Sequence, residues 1–258
     1  EDVRLSLRDG ATARETQAFR KLQAILLKTA GVDGTEGEEF SVLMGVIDAG
    51  GRVGDVLVPD ASRLRGLPNS EQAYLIYPVG ERQLVLAGLS PAGVYYAALT
   101  LSGLLEGKAQ GVNVTLPLGT ITDWPDMGER GEWGCSSVRD IEWLAERKMN
   151  LVEFHTSHEI DSEGIPTTAI DRSYLRRGHL NAVKMVPIIS HLNSMGRRGV
   201  YKAYPDLRGK GTRATHKGHT GDLHAPCASN PKLHEIMAGW MLGYAEHGNV
   251  RDISCWLG

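Results

Sequence analysis

The sequence runs to 258 residues, 41% hydrophobic and 23% charged, with 28 Lys+Arg against 31 Asp+Glu and a formal net charge of -3. There is no basic excess to hold a polyanion, which argues against nucleic acid as a partner. No apolar run reaches the roughly 20 residues of a membrane-spanning helix, and the composition is that of a soluble, cored chain. The length suits one domain of about 250 residues or two of about 100 to 150.

In chain order, Val3, Leu5 and Leu7 alternate with polar residues up to the Asp9-Gly10 turn, the pattern of a half-buried strand. Thr12 stands three residues before Glu15, a capping box, and Phe19, Leu22, Ile25, Leu26 and Ala30 follow at helical spacing until Gly31. Residues 40 to 48 form a buried strand, and residues 73 to 77 with 83 to 87 form a hairpin across Val79-Gly80. Ser90-Pro91 opens a second helix through Tyr95, Leu99 and Leu104 to Gly107, and Val112, Val114 and Leu116 alternate as a last strand. The expectation is two helices on a mostly antiparallel sheet, an α+β domain over residues 1–122.

After Asp123-Trp124-Pro125-Asp126 strands and helices alternate. A short strand falls at 132–135, and Ser137 with Asp140 caps a helix bearing Val138, Ile141, Trp143 and Leu144. Leu151, Val152 and Phe154 form a second strand, Tyr174 to Leu180 a helix interrupted at Gly178, and Met185 to Ile189 a third strand. Asn193 to Asn230 is a polar, glycine-rich loop of the kind that carries ligand sites. Asn230-Pro231 then opens a helix striped with Leu233, Ile236, Met237, Trp240, Met241 and Tyr244, and Ile253 to Leu257 is a fourth strand. The order βαβαβαβ calls for parallel strands covered by helices over residues 123–258.

Cys135, Cys227 and Cys255 show no C-x-x-C spacing, so three buried thiols are expected rather than a disulfide framework or a cysteine zinc site. Nine histidines include His216, His219 and His224 near Cys227, but H-x2-H-x4-H-x2-C is no metal-ligand spacing, and no metal is expected. Position relative to the strands is more informative. His155 closes the second strand of the alternating half and His191 the third, and polar side chains at carboxyl ends of parallel strands face the crevice where ligands bind. Arg130, just before the first strand of that half, and Trp133 are the other candidates. A guanidinium fork suits vicinal hydroxyls and an indole face suits a pyranose, while Arg130 pairing with Asp123 or Asp126 to close the joint is the alternative. Among acids near strand ends, Glu153, Glu159 and Asp161 do not form the carboxylate pair of an ordinary glycosidase.

Several phrases carry a resemblance. Leu89-Ser90-Pro91-Ala92-Gly93-Val94-Tyr95-Tyr96-Ala97-Ala98-Leu99-Thr100-Leu101, Ile121-Thr122-Asp123-Trp124-Pro125 with Arg130-Gly131, and Lys148-Met149-Asn150 through His155 resemble family 20 glycoside hydrolases, the β-N-acetylhexosaminidases. Val186-Pro187-Ile188-Ile189-Ser190-His191, Tyr204-Pro205-Asp206-Leu207 and Cys227-Ala228-Ser229-Asn230-Pro231 extend it. The resemblance implies a zincin-like α+β front domain that binds no zinc, followed by the first half of a (β/α)8 TIM barrel. It implies an exo-acting hydrolase of N-acetylhexosamine or a related terminal sugar, active in polysaccharide degradation without a cofactor. By it, Arg130 binds hydroxyls of the nonreducing sugar, and His155 and His191 line the site.

The family's catalytic Asp-Glu at the end of the fourth strand has no counterpart in the chain, and Ser190 stands where the family has Asp. The general acid is therefore expected just after Gly258, with the 258 residues inactive alone. About 136 residues remain for a barrel that typically takes about 250, so an open half-barrel that self-associates is expected. Alternatives are a non-catalytic carbohydrate-binding module and another glycosidase with this front domain, such as an α-glucuronidase or α-N-acetylglucosaminidase. The chain opens at Glu1 without an apolar leader, which fits a secreted or periplasmic protein whose export signal has been removed.

Overall fold

The computed structural model describes residues 3–110, 113–114, 119–134, 137–189, 191–211, 215–218, 221–247 and 250–256. By packing, the chain divides into two units. The first comprises Glu1–Arg130, Glu142–Asn150 and Leu180–Ala182; the second comprises Gly131–Ile141, Leu151–His179 and Val183–Gly258.

In the front unit, β1 (Val3–Leu7), β2 (Phe40–Val46), β3 (Tyr74–Val79), β4 (Gln83–Gly88) and β5 (Ile121–Asp123) form one sheet in the order β1-β2-β4-β3-β5. The pairs β1/β2 and β2/β4 are parallel, while β4/β3 and β3/β5 are antiparallel. The sheet is thus mixed rather than mostly antiparallel. A helix carries the chain from β1 to β2, which makes that pair parallel; only the hairpin announces its direction in sequence. The alternation at Val112 to Leu116 falls largely outside the described residues, and the last strand of the sheet is β5.

Helices α1 (Ala13–Ala30) and α2 (Pro91–Lys108) pack on each other. The Thr12–Glu15 capping box is formed, and Gly31 ends α1 in the left-handed conformation. Ser90 starts α2: its hydroxyl accepts from Ala92 N at 3.0 Å and donates to Glu71 O. Alternate strand residues serve two cores. Tyr74, Ile76, Leu84 and Leu86 are buried, while Leu75, Val85 and Ala87 pack with Ile47, Val53, Val58 and Leu64 from the connection after β2. Burial on both faces explains why β3 and β4 read as continuous apolar runs.

In the second unit, β6 (Gly131–Trp133), β7 (Leu151–His155), β10 (Lys184–Ile189) and β13 (Ser254–Cys255) form an all-parallel sheet in chain order. This is the strand order and direction of half a (β/α)8 barrel. Between these strands in the chain lie α3 (Ile141–Glu146), which from Glu142 on belongs to the front unit, the hairpin β8 (Ser157–Ile160) and β9 (Pro166–Ala169), and α4 (Arg172–Leu180). A second hairpin, β11 (Thr215–Gly218) with β12 (Gly221–His224), and α5 (Pro231–Ala245) precede β13.

Four expectations are corrected. Ser137 does not cap α3: its hydroxyl donates to Gly134 O and Glu153 O at 2.8 and 3.2 Å, tying β6 to β7, and α3 begins at Ile141. Helix α4 is continuous through Gly178, where a Cβ would stand 2.4 Å from Met185 Cγ and 2.8 Å from Val183 O, so the glycine answers a close approach rather than a break. The polar stretch after His191 is not bare loop; it holds the 3-10 segment Leu192–Arg198, a short helix Val200–Ala203 and the β11–β12 hairpin. Cys227 and Cys255 are free and only half-buried, and Cys135 lies outside the described residues.

Candidate functional site

The parallel strands of the second unit bring their carboxyl ends to one edge. Residues in register in parallel strands point to the same side. Trp133, Glu153 and Val186 are in register, as are His155, Ile188 and Ser254, and Glu153 and His155 are two apart on β7, so these residues share one face. The opposite face takes Val152 and Phe154, both buried, with Phe154 edge-on to Tyr174 at 6.4 Å. Trp256 follows β13, fixed by its backbone N–H to Ile189 O at 3.0 Å and its indole N–H to Ser254 Oγ at 3.1 Å.

Trp256 is the hub of the site. Trp133 meets it edge-on with ring centroids 4.8 Å apart, His191 at 5.3 Å and His155 at 5.9 Å. Had β10 continued, His191 would lie on the face opposite Ile188. Instead it has φ +30°, a strained value for a residue with a side chain. Its carbonyl accepts from the Ser194 N–H and hydroxyl, both at 2.8 Å, which holds the turn. Four aromatic side chains from four strand ends thus converge, with Trp133 63% exposed.

A buried network supports this edge. The Tyr244 hydroxyl of α5 donates to Ser157 O at 3.1 Å, lies 3.0 Å from His158 Nδ1 and touches Thr156 Oγ1. Trp240 donates to Glu159 O at 2.9 Å, and its ring lies 4.9 Å from His158. Burial, then the charges of Arg198 and His155, push the His158 pKa down to about 4. Burial also lowers that of His155, joined by Arg198 and His191. Both imidazoles are therefore neutral at pH 7 and offer one donor and one acceptor each. The neutral imidazole of His155 beside the indoles of Trp133 and Trp256 suits a ligand with hydroxyls and an apolar face, while His158 is buried and serves the network. Glu153 sits one pleat deeper on the same face; Glu159 is on the β8–β9 hairpin, and Asp161 Oδ1 is occupied by Glu163 N and Ile165 N.

Arg130 belongs to the front unit and serves its carbonyls. Its guanidinium donates to Lys148 O at 2.7 and 3.1 Å, to Gln72 Oε1 at 3.0 Å and to Met127 O, while its backbone N–H donates to Asn150 Oδ1 at 2.8 Å. Asn150 Nδ2 in turn donates to Gln72 Oε1 and Gly128 O. Lys148, at φ +57°, sends its ammonium to Asp123 Oδ2 at 3.1 Å and to Tyr74 Oη at 2.6 Å. The Arg-Gly and Lys-Met-Asn phrases are thus two halves of one knot, and Arg130 pairs with neither Asp123 nor Asp126. Following it, Gly131 is required because a Cβ there would stand 2.2 Å from Leu151 O. Arg130→Lys, which keeps the charge but loses the fork, is expected to lower stability by about 2 kcal/mol. A urea midpoint unchanged from the parent would refute this.

Of the residues singled out from sequence, Trp133, His155 and His191 come together and Arg130 is engaged elsewhere. Sequence reasoning passed over Trp256 and Tyr244 as site residues; for Trp256 the available signal was its place at the end of the fourth strand. The side chains of His216 and His219 lie outside the described residues, and among the described residues no cluster of His, Cys, Asp and Glu suits a metal.

Residues 1–124 match the family model described as glycosyl hydrolase family 20, domain 2. Over these residues the chain is similar to the family 20 glycoside hydrolases. Among solved structures it is similar to a family 20 β-N-acetylhexosaminidase of Streptomyces coelicolor A3(2), with TM-score 0.66, 16% identity, and 97% of this chain and 54% of that chain covered. It is also similar to the chitobiase of Flavobacterium johnsoniae, with TM-score 0.60, 17% identity and coverage of 97% and 40%. A third is a family 20 exo-β-N-acetylglucosaminidase from Vibrio harveyi, solved with N-acetylglucosamine, with TM-score 0.57, 15% identity and coverage of 96% and 42%. At these identities the likeness is one of fold, and the chain spans roughly half or less of each structure's length. A search of the curated proteins finds no match.

Proposed function

We propose that residues 1–122 are a zincin-like front domain and residues 123–258 the first strands of the catalytic barrel of an exo-acting glycoside hydrolase. Its substrate would be a terminal N-acetylhexosamine or a related sugar. The observation that carries this reading is the convergence of Trp133, His155 and His191 on Trp256 at the carboxyl ends of parallel strands, where barrels bind their ligands. In this reading the indoles pack on the pyranose face, the imidazoles of His155 and His191 take its hydroxyls, and a general acid located after Gly258 protonates the leaving oxygen. The family resemblance gives Arg130 a part in sugar binding, for which it would first have to release the carbonyls that it holds.

The test is release of chromophore from a panel of chromogenic glycosides by the complete protein and by these 258 residues. Turnover by the complete protein and weak sugar binding without turnover by the 258 residues are expected. Trp133→Ala should weaken that binding about tenfold. If the complete protein binds sugar but turns over no glycoside, the hydrolase reading fails in favour of a carbohydrate-binding module.

Self-association follows from the same reading. Among the described residues the outer edges of β6 and β13 have no partner strand, and Trp133, Ile165 and Leu242 are exposed by half or more. Light scattering of the 258-residue chain should show a mass that rises with concentration; a constant monomer mass would count against the open half-barrel.

A further inference from the structure

We propose that the front unit holds a small-molecule site of its own, a cavity for a neutral polyhydroxylated ligand of monosaccharide size, independent of the strand-end reading above. The cavity has a volume of about 330 Å³, at the small end of ligand pockets, and every residue lining it belongs to the front unit. Its lining includes Tyr96, Asp123, Trp124, Asp126, Arg130 and Lys148. Tyr96 is 2% exposed, and its hydroxyl has the Arg130 side chain as a hydrogen-bonding neighbour, but at a geometry short of an ordinary hydrogen bond. A buried hydroxyl without such a bond forfeits more than a made one gains, so a ligand oxygen that reached it would be held there.

The other polar groups decide the class of ligand. Lys148 uses two of its three ammonium protons, on Tyr74 Oη and Asp123 Oδ2, and has a third to give. An anion would meet the carboxylates of Asp123 and Asp126, and a cation would meet Lys148 and Arg130. A neutral molecule carrying several hydroxyls meets donors and acceptors alternately and has the Trp124 indole for its apolar face. The charges cancel, and the hydrogen-bonding capacity remains.

The experiment is a titration of the chain with D-glucose, followed by the indole N–H resonance of Trp124 in two-dimensional NMR, with sulfate as the charged control. Saturable shifts at Trp124 with glucose, and none with sulfate, are expected. Tyr96→Phe should weaken the affinity about tenfold without lowering the unfolding midpoint. Trp133→Ala should leave it unchanged, which separates this site from the strand-end cluster. Absence of saturable shifts, shifts with sulfate alone, an affinity insensitive to Tyr96→Phe, or loss of binding in Trp133→Ala would each overturn the proposal.

Discussion

Replacing Glu15 by alanine should destabilise the front unit by about 3–5 kcal/mol, the cost of breaking a buried ion pair from one side. The Glu15 side chain is fully buried, and Arg8 grips it with Nε at 2.8 Å and Nη2 at 3.1 Å. The same carboxylate accepts from the backbone N–H of Thr12 at 2.7 Å and of Val46 at 3.0 Å. Alanine would leave a guanidinium and two backbone donors without their acceptor. Glutamine keeps an acceptor oxygen and should cost less. Burial alone would raise the Glu15 pKa, but the Arg8, Thr12 and Val46 hydrogen bonds outweigh it and the net shift is downward. A lowered folded-state pKa gives stability that is present above the ordinary carboxylate pKa and lost as pH falls through the folded value. Hydrogen exchange of α1 and β2 amides measures the change. A loss below about 1 kcal/mol for Glu15→Ala would show that the pair contributes no more than a surface bridge.

Acid should weaken the second unit through His158, by up to about 3 kcal/mol once the pH is below 4. The imidazole is 1% exposed, packed between Trp240 and Tyr244, and its pKa falls from 6.5 to about 4 through burial first, then Arg198 and His155. A depressed histidine is neutral in the fold and charged in the unfolded chain between these two values. Its contribution is therefore complete above pH 6.5 and is lost as pH falls from 6.5 towards 4. Phenylalanine fills the same ring space and leaves Tyr244 its bonds to Ser157 O and Thr156. His158→Phe should accordingly flatten stability between pH 6.5 and 4 relative to the parent, as read by hydrogen exchange of β7 and α5 amides. Parallel pH profiles for parent and variant would show that His158 is not the group responsible.

Features legible in the sequence were those that neighbouring residues decide among themselves. Thr12 and Glu15 cap α1 because residues three apart at a helix start share its unpaired N–H groups, and Asn230-Pro231 opens α5 for the same local reason. The four-strand order of the second unit followed from alternating periodicities, and strand-end position pointed to His155 and His191, with Trp133 singled out for its indole beside Arg130. Ser137 and Gly178 misled because each has a common local meaning, cap and breaker, that a distant partner overrides: Glu153 O for the one, Met185 for the other.

The sequence by itself therefore determined most of the elements, the parallel half-barrel order and the likeness of residues 1–124 to family 20 domain 2, since these rest on patterns of residues close in the chain. Only the tertiary structure decided that Trp256 is the hub to which three strand ends turn, that Glu15 holds Arg8 as well as its own helix cap, and that Arg130 knots carbonyls of the joint. The physical reason is that hydrogen-bond donors and ring edges are satisfied by whichever group folding brings within reach. For Arg130 and Lys148 that distance is set by the packing of β3, β5 and the Lys148–Asn150 segment, which no spacing in the chain encodes.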